Sequence, residues 1–150
     1  MDISKVLKVN HIKLNMLANT KQEALEELTD LLVQSGSVSN KEEFLRDIWL
    51  REEQGPTGFE NHIALPHGES AAVNQTTIAI GRTHHDISWE TLSSTYVRCI
   101  ILYAIKKECR DKDQIYSLRQ VSTVLSYDEI IVKLLSANTS WEIIDIISDE

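Results

Sequence analysis

The sequence predicts a single α/β layered domain over residues 1–150. Three observations carry that prediction. Apolar residues recur at helical spacing near the start of the chain. Two runs of strand character occupy its middle. Helical spacing then returns and holds to the end.

The first helix is expected over residues 21–35, KQEALEELTDLLVQS, where Leu25, Leu28, Leu31 and Leu32 fall on one face. Thr20 followed by Glu23 has the form of a capping box, and Gly36 supplies a stop. A second helix is expected over about 41–53, begun by Ser39 or Asn40. Its apolar face is Phe44, Leu45, Ile48 and Trp49, and it closes on Arg51, Glu52 and Glu53. The stretch TTIAIGRT, 76–83, alternates as a half-buried strand does, whereas YVRCIILYAI, 96–105, is almost continuously apolar, as in a strand covered on both faces. From about 112 the helical period resumes with Ile115, Leu118, Val121, Val124 and Leu125. Two more helices are expected over about 128–136 and 140–148. No repeat, low-complexity tract or linker interrupts the pattern.

Composition narrows the function classes. The chain is 42% hydrophobic and 25% charged, as in globular proteins. A net charge of −8, with no basic stripe, argues against nucleic acid as a partner. The opening MDISKVLKVNHIKLN holds no apolar stretch long enough for a signal peptide, and nothing approaches a membrane span, so a cytoplasmic protein without direct membrane insertion is expected. Cys99 and Cys109 form no CxxC pair and read as two unpaired thiols of a reducing compartment. His84 and His85 hint at a metal site, but neither thiol lies near them in sequence and no helical ligand pair exists, so no metal is expected. Trp49, Trp89 and Trp141 read as core or interface anchors. His11 is left without a role.

The least ordinary stretch is GPTGFENHIALPHGES, residues 55–70, which holds three of the five glycines, both prolines and two of the five histidines. It reads as a Gly/Pro-rich loop. Pro66 has a fixed φ and restrains Leu65 to an extended conformation, so the approach to His67 is stiff. Gly68 has no side chain, which would let a ligand come close to the backbone. A histidine so held suits a nucleophile whose ring accepts a bulky group, although an exposed loop histidine would show the same local pattern.

The ordered set of Arg51-Glu52, Thr57-Gly58 and Ile63-Ala-Leu-Pro-His67-Gly68 resembles the signature of the fructose/mannitol-type EIIA domains of the bacterial phosphoenolpyruvate-dependent sugar phosphotransferase system. The resemblance extends over the whole chain and implies a mixed β-sheet flanked by helices on both faces. It also implies that His67 carries a phosphoryl group on Nε2, received from the phosphocarrier HPr and passed to an EIIB domain for sugar uptake, with no cofactor. A regulatory EIIA-like module, nitrogen-type or regulator-associated, remains the alternative reading.

The residue chemistry fits such a transfer. A neutral imidazole is a nucleophile near pH 7, and a guanidinium offers paired donors to phosphoryl oxygens, the expected part of Arg51. Thr57 and Gly58 are expected either to offer a hydroxyl and backbone N–H groups to the phosphoryl group or to form a plain turn. Glu52 is expected to cap the helix or orient Arg51. Where mannitol-type and many fructose-type relatives carry a second histidine at the start of the first C-terminal helix, this chain has Gln114, as galactitol-type relatives do. Gln114 is expected to face His67, with His62 as the other candidate for that place.

Overall fold

Every helix expected from the sequence forms, within a residue or two of its expected bounds. The computed structural model describes residues 3–59, 61–90 and 96–148. In chain order the elements are β1 Leu7–Lys13, α1 Lys21–Gln34, α2 Lys41–Glu52, β2 Ile63–Ala64, β3 His67–Ser70, β4 Thr77–Ser88, β5 Tyr96–Lys106, α3 Lys112–Val124, α4 Asp128–Ser136 and α5 Ser140–Ser148.

Local chemistry sets the helix ends. The Thr20 hydroxyl accepts from the Glu23 N–H at 3.1 Å, while the Glu23 carboxylate accepts from the Asn19 N–H at 2.9 Å, one residue earlier than in a strict capping box. Gly36 closes α1 with φ +82°, and the Ser37 N–H turns back to the Leu32 carbonyl at 2.9 Å. Asn40 caps α2 through the Glu43 N–H at 3.0 Å. Asp111 caps α3 through the N–H groups of Asp113 and Gln114.

β4 and β5 run antiparallel at the centre of one mixed sheet. β1 lies parallel to β4 on one side, and β2 and β3 lie parallel to β5 on the other. Strand side chains alternate between faces, and this divides the core in two. Ile78, Ile80, Cys99, Ile101 and Tyr103 pack with α3, α4 and α5. Ala79, Ile100, Leu102 and Ala104 pack with α1 and α2. The sheet is therefore flanked by helices on both faces, as expected.

Three strands lie outside the expected pair. β1 escapes the period-2 test because its alternation breaks at the adjacent buried pair His11 and Ile12, its register shifts between Leu7 and Ile12, and one buried core position is a histidine. That residue, His11, is satisfied by the hydroxyls of Thr77 at 2.9 Å and Ser35 at 2.8 Å. β4 also runs on to Ser88, through the exposed His84 and His85. Of the tryptophans, Trp89 is buried, whereas Trp49 is partly exposed and Trp141 is 65% exposed. Trp141 stands about 200° round α5 from Ile143, away from the buried face formed with Ile147. Among the described residues, no helix is long and apolar enough to cross a membrane, and no group of three His, Cys, Asp or Glu could hold a metal ion.

Candidate functional site

Among the described residues, the first half of the stretch expected to be a loop is irregular, as expected, but its second half, residues 63–70, is an edge of the sheet. Ile63 lies opposite Cys99, Ala64 opposite Ile100, and His67 opposite Tyr103, every pair being offset by 36 residues. β2 and β3 are thus one strand in one register, interrupted where Pro66 has no N–H to give. The Pro66 carbonyl still accepts from the Tyr103 N–H at 2.9 Å, and the Leu65 N–H turns the other way, to the Thr57 carbonyl at 2.9 Å. His67 opens the second half of that strand, so its backbone is fixed by a ladder as well as by proline.

Alternation then sends His67 and Gly68 to opposite faces. The His67 ring lies against Tyr103, centroids 5.0 Å apart and planes inclined by 52°. Gly68 faces α2. A Cβ added there would lie 2.5 Å from Phe44 Cε1 and 2.9 Å from Ile48 Cγ1. The missing side chain therefore makes room for a helix, which corrects the expectation that a ligand approaches the backbone at this position. The close seat of α2 on β3 brings Arg51, in the last helical turn, into a cleft that it shares with His67, Asp47 and Glu69.

Burial dominates the chemistry of the His67 ring and lowers its pKa. The Leu65 carbonyl acts in the opposite sense, Arg51 lowers the value further, and the Glu52 carboxylate raises it. The ring is accordingly neutral at pH 7. Nδ1 is buried and has no hydrogen-bond partner among the described residues, while the Leu65 carbonyl favours the protonated form of the ring. A proton on the buried Nδ1 would leave the lone pair on Nε2, where it could act as a nucleophile. Sequence alone could not identify the influence of the Leu65 carbonyl, because it is the backbone of a neighbouring residue.

Arg51 is half-buried and donates from Nη1 to the Gly55 carbonyl at 3.3 Å. Glu52 caps nothing: its carboxylate is 3% exposed, pairs with the Lys21 ammonium, and accepts the Thr57 hydroxyl at 2.8 and 3.0 Å. The same hydroxyl oxygen accepts from the Trp89 indole N–H at 3.1 Å. The Lys21 ammonium lies over the rings of Trp49 and Trp89 at 5.2 and 5.1 Å. Thr57 is buried and its hydroxyl is occupied, while the Gly58 N–H goes to the Glu90 carbonyl at 3.3 Å. These contacts correct the expectation that Thr57 and Gly58 present donors to a phosphoryl group. Both tie the loop after α2 to the frame beneath Arg51.

Gln114 and His62 are not brought into the His67 clefts. Gln114 accepts from the Cys109 thiol at 3.6 Å and lines a separate polar cleft with Thr76, Lys106 and Arg110. His62 is exposed, has φ +71°, and is held through Nδ1 by the Tyr96 carbonyl at 2.9 Å. What α3 does present to His67 is a different face. A cleft of about 650 Å³ is lined by His67, Glu69, Tyr103, Glu108, Arg119 and Ser122, among others. The Tyr103 hydroxyl is 2.7 Å from Ser122 Oγ and 3.4 Å from the Leu118 carbonyl, so α3 is pinned to the tyrosine that supports the His67 ring. Burial pushes the Tyr103 phenol up to about 12, so it stays neutral. Read as a strand, YVRCIILYAI puts Tyr103 on the face of Cys99 and Ile101 by its two-residue period, but nothing in the run pairs it with His67.

Residues 5–150 match the family described as "Phosphoenolpyruvate-dependent sugar phosphotransferase system, EIIA 2". The chain is 30% identical over 148 residues to the PTS system fructose-specific EIIABC component of Bacillus subtilis, spanning 99% of this chain and 23% of that much longer protein. The structure of the nitrogen regulatory protein IIA-Ntr from Neisseria meningitidis superposes with a TM-score of 0.84 at 26% identity, over 97% of this chain and 98% of that one. The same fold occurs in enzyme IIA for mannitol from Escherichia coli, solved in complex with phosphorylated enzyme IIB. There the TM-score is 0.77 at 21% identity, over 97% of this chain and 100% of that one.

Proposed function

This chain belongs to the EIIA 2 family of the phosphoenolpyruvate-dependent sugar phosphotransferase system, and from that premise we propose that His67 is its phosphoryl carrier. HPr is the donor, an EIIB domain is the acceptor, and the exchange takes place in the cytoplasm and serves sugar uptake. The observation that carries this reading is the state of His67. It is a neutral imidazole on a laddered sheet edge, with Nδ1 buried and an arginine in the same cleft.

In the forward step the Nε2 lone pair forms a bond to phosphorus as the bond between phosphorus and the donor breaks. The electron pair of the broken bond returns to the donor, and the His67 proton stays on Nδ1. Positive charge then develops on the ring, and the Leu65 carbonyl lies where it favours that charge. The phosphoryl group spreads negative charge over its equatorial oxygens, so most of the catalysis is electrostatic positioning. Arg51 supplies a planar fork for two of those oxygens. Transfer to EIIB runs the step in the other direction: the acceptor's nucleophile forms the new bond to phosphorus as the bond to Nε2 breaks and its electron pair returns to the imidazole.

The test uses phosphoenolpyruvate, enzyme I and HPr, followed by intact-protein mass spectrometry. The wild type is expected to gain one acid-labile phosphoryl group and to lose it on addition of a cognate EIIB. His67→Ala should gain none. A His67→Ala protein that still takes up one phosphoryl group overturns the assignment.

A further inference from the structure

We propose that Arg119 binds an oxygen of the phosphoryl group on His67, as a second guanidinium acting from the face of the sheet opposite Arg51. The proposal rests on His67 being the acceptor and names a further residue for the same site.

The helical period selects Arg119. Ile115, Leu118, Arg119, Ser122 and Thr123 all line the cleft that His67 opens into, and at about 100° per residue they share one face of α3. Gln114 lies roughly 100° round from the centre of that face, so its side chain lines the neighbouring polar cleft instead. The face is held in register by the Tyr103 hydroxyl, which reaches both the Leu118 carbonyl and Ser122, on either side of Arg119 in sequence. Tyr103 in turn lies 5.0 Å, ring to ring, from His67. Arg119 therefore projects from the segment of α3 fixed most directly to the imidazole.

Charge supplies the second argument. The cleft is lined by two carboxylates, Glu69 and Glu108, and Arg119 is its one cationic side chain among the described residues. Among the described residues none of the three takes part in an ion pair. A phosphoryl dianion entering beside Glu69 and Glu108 is repelled unless a cation accompanies it. On the α2 side Arg51 answers to Asp47 and Glu69. On the α3 side Arg119 is placed to do the same, and an exposed guanidinium on a long stem, in no ion pair among the described residues, can close on the group after it arrives.

The experiment measures the equilibrium distribution of the phosphoryl group between HPr and this protein. That quantity depends on contacts made to the group itself and is unmoved by how well the two proteins dock. Arg119→Gln should shift the distribution toward phospho-HPr by about tenfold, the worth of one charge-assisted hydrogen bond. Arg119→Lys, which keeps the charge but not the fork, should shift it less. Thermal melts of both variants should match the wild type, because Arg119 is exposed. An Arg119→Gln distribution within about twofold of the wild type overturns the proposal, whether or not the forward rate falls. A slower rate at an unchanged distribution would make Arg119 a docking residue only. A wild type that takes no phosphoryl group on His67 overturns the acceptor assignment itself, and this proposal with it.

Discussion

Gly68 gives the sharpest contrast between a residue kept open for a ligand and one kept small for a helix. In Gly68→Ala the new methyl group would lie 2.5 Å from Phe44 Cε1, 2.9 Å from Ile48 Cγ1 and 3.0 Å from Phe44 Cζ. Each is more than about 0.5 Å inside the carbon–carbon separation of roughly 3.5–4.0 Å at which contacts are favourable. Phe44 and Ile48 are both fully buried, so neither can swing into solvent. Overpacking of this kind costs about 1–3 kcal/mol, and the position belongs at the upper end because both neighbours sit on one rigid helix. At roughly 2–4 °C per kcal/mol for a chain of this size, a loss of about 2–3 kcal/mol lowers Tm by about 5–10 °C. Any relief comes from α2 moving outward, which carries Arg51 with it, so transfer from phospho-HPr should slow as well. Phe44→Leu removes the ring edge, and the double variant should be more stable than the sum of the singles by about 1 kcal/mol, within the range seen for residues in contact. Thermal denaturation of the four proteins of this cycle is the assay. A Gly68→Ala protein that melts within a degree or so of the wild type, with only transfer impaired, would refute the packing argument and restore the ligand one.

Arg51→Lys keeps the charge and loses the planar fork, so transfer from phospho-HPr should slow by roughly tenfold or more with Tm unchanged; unchanged kinetics would leave Arg51 only its contact with Gly55. Thr57→Val leaves the Trp89 N–H unpaired and removes a donor from Glu52, which should cost about 1–3 kcal/mol in urea denaturation with little effect on transfer. Retained stability with lost transfer would instead make the hydroxyl a phosphoryl ligand. The His67 ring, titrated by NMR, should show a midpoint below its ordinary 6.5, chiefly because of burial. Its folded-state value being depressed, its contribution to stability is complete above pH 6.5 and is lost as pH falls through the folded value. His67→Gln should therefore flatten the acid limb of the stability curve in part, His11 retaining the same sense. A midpoint at or above 6.5 contradicts the sign.

The first two helices were legible because their caps and their period agree: Thr20, Gly36 and Asn40 all act at the ends the sequence marks. The central strands were legible as well, since β5 is covered on both faces and its apolar run is long. The edge strand was not. Gly and Pro density is a turn signal; it holds over residues 55–58, but at 66–68 it belongs to a strand whose proline falls at the one break in the ladder and whose glycine makes room for Phe44. The same limit applies to the site. Pro-His-Gly singled out His67, but the partners of its neighbours depend on contacts distant in the chain. Thr57 bonds to Trp89, 32 residues away, and no local pattern could show that its hydroxyl was already taken. Gln114 was placed by its position at the start of a helix, whereas the face that reaches His67 begins one residue later, at Ile115.

The proposed carrier role requires that Nε2 of His67 hold the phosphoryl group while Nδ1 keeps its proton. It is tested most directly by two-bond 1H–15N correlation NMR on 15N-histidine-labelled protein, before and after phosphorylation through HPr. A neutral ring protonated on Nδ1 is expected beforehand, and afterwards a phosphorus coupling on Nε2 of His67 with the other four histidines unchanged. Phosphorus coupling on Nδ1 of His67, or on any other histidine, would contradict it.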